Sequence, residues 1–339
     1  MKNVRCDFSR VGFWAPRTLG YWLCRPRLWG AVHHRPVAVR FVDDEYWPYK
    51  SPNVVRWTYD PSLHGKHLCL DFANRPVADL WRFRWRTLAN GLWKIIDVCP
   101  HITFHEVPVD VSDCADGSLP RDVLRFAKLP EEPHDLLPNP YLLERDRVRF
   151  QSIAWSRMAD SVFFRGAATG PGEYSENPRV AACLAARQIK GGDCKLTSFH
   201  DVGPDFRRCA TNDGITAKRT KPSAMGGHRY LLEVDGHTSS WDRFRRIGLC
   251  GSVPIRFETR WQEYWHDKIV EGTHYVAATR ANLGAVIADL RDSPGRARDI
   301  AAQASDLVRE TLSVGNAQES LQRIWLERIR GSATGDMHG

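Results

Sequence analysis

None of the nine cysteines (Cys6, Cys24, Cys69, Cys99, Cys114, Cys183, Cys194, Cys209 and Cys250) forms a C-x-x-C pair, and an odd number fits no closed disulfide framework. Spacing this wide argues against a structural zinc site, so the cysteines read as mostly reduced, buried thiols of a cytosolic-type compartment. A long apolar run is also missing. The aromatic N-terminal stretch is cut by Arg10, Pro16, Arg17, Arg25 and Pro26, which leaves no signal-peptide pattern there, and no segment is long enough to span a bilayer. The expectation is a soluble protein whose N-terminal stretch packs as an ordinary element, with a surface-lying aromatic and basic segment as the alternative. No internal repeat, low-complexity tract, Walker A sequence or G-x-G-x-x-G turn occurs.

What is present describes an ordinary globular chain. Its 339 residues suit two domains better than one core, and 42% hydrophobic with 26% charged residues excludes general disorder. The formal charge of +8 favours an anionic partner: a nucleotide diphosphate, an acidic glycan or lipid, or nucleic acid. Charge alone does not choose among them.

Apolar patterning predicts a short strand over Val37 to Val42, a loop through the following DDEYWPYKSPN, and a helix carrying Leu80, Trp81, Phe83, Trp85, Leu88 and Leu92. A second apolar run covers Ile95 to Val98. The WRFRWR stretch mixes rings and arginines as single-strand nucleic-acid platforms do, but its helical spacing reads as an amphipathic helix with arginines outward. Between Pro120 and Pro140 the prolines are too frequent for a regular core element, so a long functional loop or inter-domain segment is expected.

The C-terminal half predicts repeated strand–loop–helix units. Strands are expected at Ser161 to Phe164, Tyr230 to Val234, Ser252 to Phe257 and His274 to Ala278. A turn covers Arg165 to Gly172, then Asn177 caps a helix with Pro178 at its first position, closed by Gly191-Gly192. Another helix begins at WDRFRRIGL, with Ser239 and Asp242 at capping-box spacing. An aromatic helix around RWQEYWHDK and three terminal helices complete the chain. Such alternation implies a parallel sheet wrapped by helices, with ligands held by loops at the strand carboxyl ends.

Two of those loops, Arg165 to Gly172 and Asp235 to Ser240, place glycines, hydroxyls and arginine between a strand end and a helix. Backbone N–H groups can approach a pyrophosphate at glycine, the helix terminus adds positive potential, and arginine offers a fork of donors. Arg243 would stand in a first helical turn, where a cation opposes the helix dipole unless an anion is near. The alternative is that Arg165 and Arg243 are surface charges beside ordinary turns.

At these residues the chain resembles a known family. His228 to Val276 carries Asp235-Gly236, Arg243-Phe244-Arg245, Cys250-Gly251-Ser252, Trp261 and His274-Tyr275-Val276 in the order seen in capsule-associated and lipopolysaccharide-modifying enzymes of glycosyltransferase family 90, which includes the protein O-glucosyltransferases. Upstream, FFRGAATG matches the family's F-R-G-S turn with Ala167 in the serine position, and His134-Asp135-Leu136-Leu137-Pro138 is similar to its H-D-I-x-x-P segment. The resemblance spans His134 to Leu312.

It implies an α/β, GT-B-like fold: two Rossmann-like domains with parallel sheets facing a cleft. The expected division is an acceptor-side domain over 1–157, a donor domain over 158–314, and a terminal helix over 315–339 packing back on the first. The implied activity is inverting, metal-independent transfer of glucose or xylose from a UDP-sugar to a hydroxyl of a glycan, lipopolysaccharide or protein. No D-x-D motif occurs, and Asp43-Asp44-Glu45, the nearest approach to one, reads as a solvated loop or an acceptor contact. By resemblance Asp135 is the general base, and Arg165, Gly166, Ala167, Thr169, Asp235, Gly236, His237, Ser240, Arg243, Gly251 and Ser252 bind the donor. His134 is an acceptor or donor contact. No metal or other cofactor and no specific nucleic acid is expected. Location at the cytoplasmic side of the inner membrane, with peripheral contact to a membrane-linked acceptor, fits this reading. The rivals are a basic nucleic-acid-binding protein and a catalytically inactive nucleotide-sugar-binding module.

Overall fold

A computed structural model describes residues 21–24, 35, 37–42, 47–49, 51–64, 67–113, 119–144, 150, 153–200 and 202–335. The Asp43-Asp44-Glu45 segment, Cys6 and Cys114 lie outside them. The chain divides into two compact units. One comprises Met1–Phe126, Glu131–Leu143 and Gln318–Gly339, and the other Ala127–Pro130 and Glu144–Ala317.

In the first unit, strands β1 (Tyr21–Cys24), β2 (Val37–Phe41), β3 (Val54–Tyr59), β4 (Leu68–Phe72) and β5 (Phe104–Asp110) form a sheet in the order β1-β2-β4-β3-β5. Only β2 and β4 run parallel; the β1–β2, β3–β4 and β3–β5 pairs are antiparallel. The α/β class agrees with the expectation, but this sheet is mixed rather than parallel. A short link lets β4 fold back antiparallel against β3, whereas β5 reaches the other edge of β3 only after two intervening helices.

Asn74 caps α1 (Arg75–Leu80), its side chain accepting from the Val77 N–H at 3.1 Å. Helix α2 (Arg82–Val98) absorbs the apolar run expected as a separate element, and α3 (Pro140–Leu143) is a single turn. Trp85, Leu88, Leu92 and Ile96 of α2 are buried, as helical spacing requires. The outward placement of the arginines holds only in part. Arg84 is 4% exposed, lies over the Trp81 ring, donates to the Val111 carbonyl at 3.1 Å and pairs with Asp113 at 3.0 Å. Trp85 is spent on the core, while Arg82 and Phe83 of the same stretch stay exposed. The proline-rich segment is also not a simple loop. Val123, Leu124, Phe126 and Leu137 are buried, and isolated bridges join Leu124 to Val109 and Arg125 to Leu136.

The second unit is regular. Strands β6 (Ala159–Ala167), β7 (Gly192–Ser198), β8 (His228–Val234), β9 (Val253–Phe257) and β10 (Val276–Ala278) form a wholly parallel sheet in the order β7-β6-β8-β9-β10. Helices α4 (Pro178–Arg187), α5 (Pro204–Asn212), α6 (Arg243–Cys250), α7 (Leu283–Asp292) and α8 (Pro294–Thr311) accompany it. Val180 and Ala181 of α4 cluster with Val162, Phe164 and Leu232, while Ile247 and Cys250 of α6 cluster with Phe163 and Leu231. Alternate strand residues thus feed different clusters, and the sheet is covered on both faces. The expected aromatic helix does not form; its place is taken by a loop with one 3-10 turn at His266–Lys268.

The last helix, α9 (Val314–Gly335), contributes Gln318 onward to the first unit. Gln318 Nε2 donates to the Gly91 carbonyl at 2.8 Å, and fully buried Trp325 meets Trp57 and Phe104 edge-on, with ring centroids 6.4 and 5.4 Å apart. Among the described residues, no helix is long and apolar enough to cross a membrane. Removing the buried Trp325 ring leaves a cavity against two other aromatics. Trp325→Ala should therefore lower the unfolding free energy by about 3–5 kcal/mol in urea titrations; a loss under ~1 kcal/mol would mean the terminal helix is not part of this core.

Candidate functional site

The strand order of the second unit fixes where a ligand can sit. In chain order the sheet reads second, first, third, fourth, fifth, so the connections from β6 and β8 leave in opposite directions. The carboxyl edge between β6 and β8 is therefore the topological switch point, where sheets of this kind hold a ligand crevice. The two loops flanking this point are the glycine- and hydroxyl-bearing loops singled out from the sequence. The first begins later than expected, because β6 continues through Arg165, Gly166 and Ala167.

Beyond Ala167 the chain turns into α4. Asn177 caps that helix, its side-chain oxygen accepting from the N–H groups of Arg179 and Val180 at 3.0 and 3.2 Å, with Pro178 at the first position. Arg179 follows directly, 9% exposed. Its guanidinium donates to the Ala167 carbonyl (3.1 Å) and Thr169 Oγ1 (2.5 Å) in the first loop. It also donates to the Asp235 carbonyl (3.0 Å) and, more distantly, the Val234 carbonyl (3.5 Å) at the end of β8. One side chain thus bridges the two edges of the crevice. Sequence reasoning missed Arg179, although the argument that drew attention to Arg243, a cation in a first helical turn, applies equally to it.

The second loop rests on a buried polar network. Glu233 and Arg256 face each other across β8 and β9 at 3.0 Å. The Ser240 hydroxyl donates to Glu233 Oε1 at 2.9 Å, and the Ser239 hydroxyl donates to Glu263 Oε1 at 2.6 Å. Trp265 Nε1 donates to the other Glu263 oxygen at 3.2 Å. Arg256 Nη2 lies 2.6 Å from His266 Nε2, and the Glu263 N–H donates to His266 Nδ1 at 2.7 Å. Burial, with the neighbouring Arg256 charge, pushes the His266 pKa down to about 3 and keeps it neutral. The expected capping box does not form: Ser239 Oγ accepts from the Trp241 N–H, while Asp242 pairs with Arg246. Glu233 and Arg256 had no short-range signal, since their contact runs between two separate strands.

Asp235 does not point into the crevice. Its Oδ2 accepts the N–H groups of Arg260 at 2.8 Å and Trp261 at 3.4 Å, tying the β8 loop to the segment after β9. Burial, and secondarily the Glu233 charge, pushes its pKa up to about 7. Gly236 donates its N–H to the Thr238 carbonyl at 2.8 Å, and His237 is half-buried on the same loop. Arg243 opens α6 as expected; its Nη2 donates to the Arg165 carbonyl at 3.0 Å, its guanidinium lies 4.7 Å from the Phe164 ring centroid, and its buried Nε has no hydrogen-bond partner.

Several anticipated donor-site residues are used otherwise. The Arg165 fork is closed on Asp193 in two 2.7 Å contacts, with a further bond to the Asp193 carbonyl, so it serves the β6–β7 ladder. Gly166 is needed by close packing, since a Cβ there would lie 2.6 Å from Phe164 Cζ. Gly251 takes a left-handed conformation (φ 72°) to end α6, and Ser252 donates to the His228 carbonyl at 2.7 Å. Both precede β9 and stand at the amino edge of the sheet. That is about 16 Å from the switch point for a five-residue strand, which removes them from the donor loops.

His134 and Asp135 belong to the first unit. His134 is buried with Nδ1 3.2 Å from the Val123 carbonyl, and burial lowers its pKa, so its environment is that of a packed structural histidine. Asp135 is exposed; its backbone carbonyl accepts from the Arg125 N–H at 3.1 Å. Its side chain lines an open pocket of about 350 Å³ with Leu136, Arg323, Ile324, Glu327 and Arg328. Among the described residues, no group of three or more His, Cys, Asp or Glu side chains is gathered as metal ligands would be.

The family model for glycosyl transferase family 90 matches residues 143–321, which includes the whole parallel sheet and both switch-point loops. The chain belongs to glycosyltransferase family 90. Protein O-glucosyltransferase 1 of Homo sapiens is 22% identical over 179 residues, 51% of this chain and 43% of that protein, so the family 90 chain spans under half the length of this curated relative. Among solved structures, Anabaena HepE in complex with UDP-glucose aligns over 49% of this chain and 48% of its own, at 11% identity and a TM-score of 0.37. The GtfA/B complex aligns over 59% and 41%, at 12% identity and a TM-score of 0.40. The family match leaves out His134 and Asp135.

The raised pKa of Asp235 has a measurable consequence. A carboxyl whose folded pKa lies above its ordinary 3.8 contributes most stability below pH 4 and loses that contribution as pH rises through about 7. Asp235→Asn stays neutral and can still accept the two N–H groups. Its stability relative to the parent should therefore rise between pH 5 and pH 8, by on the order of 2–4 kcal/mol in urea titrations. A difference that does not change with pH would show that the Asp235 charge is not the buried one.

Proposed function

We propose that this family 90 chain is an inverting, metal-independent glycosyltransferase that moves glucose or xylose from a UDP-sugar to a hydroxyl of a glycan, lipopolysaccharide or protein. The observation that carries the reading is the coincidence of both glycine- and hydroxyl-bearing loops with the two sides of the β6–β8 switch point, inside the family-matched residues. A diphosphate in that crevice would meet loop amides, the N-terminus of α4 capped by Asn177, and Arg243 at the start of α6. Together these offset the charge that develops on the leaving group.

In the proposed reaction the acceptor oxygen forms a bond to the anomeric carbon as the bond from that carbon to the diphosphate oxygen breaks. UDP leaves with the electron pair, and the acceptor proton passes to the Asp135 carboxylate. Attack from the face opposite the leaving group inverts the centre through an oxocarbenium-like transition state. Asp135 suits a base by its exposure beside a polar pocket. A second reading, a nucleotide-sugar-binding module without turnover, is favoured by one observation: Ala167 lacks a hydroxyl while Arg165 is engaged with Asp193.

Asp135→Asn should reduce sugar transfer by about 10²–10⁴-fold while leaving calorimetric UDP affinity within about twofold. Parallel loss of both would refute Asp135 as the base. Arg243→Ala should weaken UDP binding by roughly tenfold or more with EDTA present throughout, since a charged hydrogen bond to phosphate is lost. Unchanged affinity would take Arg243 out of the donor site. UDP binding by the parent without any transfer to glycan, lipopolysaccharide or protein acceptors would favour the module without turnover.

A further inference from the structure

We infer that the pocket beside Asp135 is an acceptor subsite for an uncharged sugar, read by the Arg323–Glu327 pair of α9; this rests on the reading of Asp135 as the base. Its lining comes from two segments of the first unit, Asp135-Leu136 and the terminal helix. Both are anchored. The Arg125 N–H donates to the Asp135 carbonyl at 3.1 Å, and the Arg125 carbonyl accepts from the Leu137 N–H at 2.7 Å, which holds the Asp135 segment in a short parallel bridge. On α9, Leu321 and Trp325 are fully buried, and Arg328 Nη2 donates to the Asp122 carbonyl at 3.0 Å. Arg323, Ile324, Glu327 and Arg328 share the neighbouring helical face, at i, i+1, i+4 and i+5.

The chemistry of the lining selects the ligand class. A volume of about 350 Å³ lies near the lower end for small-molecule sites, roughly 300–1,000 Å³, and suits a short sugar segment. A phosphorylated or acidic glycan calls for an excess of cations. Here the formal charges cancel, with Arg323 and Arg328 set against Asp135 and Glu327. Arg323 Nη1 lies 3.4 and 3.3 Å from the two Glu327 carboxylate oxygens, and the side chains stay 63% and 59% exposed, so both can turn to a ligand. A donor held beside an acceptor matches neighbouring sugar hydroxyls, each of which donates and accepts. Leu136 and Ile324 add apolar surface for ring C–H groups. All six lining residues fall outside residues 143–321, so the family match does not account for this pocket.

The test is a set of ligand-observed NMR titrations of the full chain. The probes are methyl glycosides of glucose, galactose, mannose and N-acetylglucosamine, glucose 6-phosphate, and a serine-containing peptide. At least one methyl glycoside should bind, and glucose 6-phosphate should bind no tighter than methyl glucoside. Arg323→Ala and Glu327→Ala, both at exposed positions, should each weaken the bound glycoside by about fivefold or more, with calorimetric UDP affinity within about twofold of the parent. Glu327→Gln removes one carboxylate and should raise glucose 6-phosphate affinity by about threefold at low salt, a gain that a merely structural role does not produce. No binding of any methyl glycoside, tighter binding of glucose 6-phosphate by the parent, or glycoside affinity unchanged in both alanine variants would overturn the inference. A response to the peptide alone would overturn it in favour of a protein acceptor. Glycoside binding together with unimpaired transfer by Asp135→Asn would instead overturn the base reading, leaving a sugar site with no part in transfer.

Discussion

Polar chemistry in the second unit is confined to the edges of its parallel sheet, because helices cover both faces. Every residue of β9 and the last five of β8 are buried. Strands in that position bond their backbones to each other and leave no surface for a ligand along their length. What remains is the carboxyl edge, where helix N-termini and loop amides converge, and within it the gap where chain direction reverses between β6 and β8. The placement of Arg179, Gly236, Thr169 and Arg243 follows from that constraint.

The same burial makes the charges beneath the edge consequential. Glu233 and Arg256 sit on adjacent central strands, where an unpaired charge would cost several kcal/mol. They are paired, and the pair is extended by the Ser240 hydroxyl on one side and by His266 on the other. Such a network adds little net stability compared with apolar packing, but it has few alternative arrangements. Its effect is geometric: Ser239 and Ser240 are held by carboxylates, so the backbone between Asp235 and Arg243 has a defined path into α6. Asp235 closes the loop from the other side through the Arg260 and Trp261 amides.

The first unit solves a different problem. Its mixed sheet depends on aromatic packing in which the terminal helix supplies Trp325 from far along the chain. Arg84 shows how far context can override pattern. Helical spacing alone places it on the polar face, yet a neighbouring indole, a carbonyl and Asp113 accept it inside.

Local physics was legible in the residues themselves. Asn177 followed by Pro178 marks a helix start because a cap is satisfied within three residues. Strand periodicity located β6, β8, β9 and β10, and the two glycine-bearing loops were recognisable as strand ends. The edge strand β7 was missed because GDCKLTS carries only two apolar residues, Cys194 and Leu196, on its covered side. The expected helix at RWQEYWHDK failed because Trp265 stacks on Phe244, His266 meets Arg256 and Glu263 holds Ser239, and these contacts with other segments outweigh local helical spacing. Gly251 and Ser252 looked like loop residues of the site, but which end of a strand a residue occupies in the assembled sheet decides whether it can meet a ligand. The sequence by itself determined the α/β class, the family and the loops that could hold a diphosphate, because those depend on short-range patterns. Only the tertiary structure decided that Arg165 belongs to Asp193, that Arg179 spans the crevice and that Asp235 titrates near neutrality. Each of these depends on strand order and burial, which bring together groups that chain spacing leaves apart.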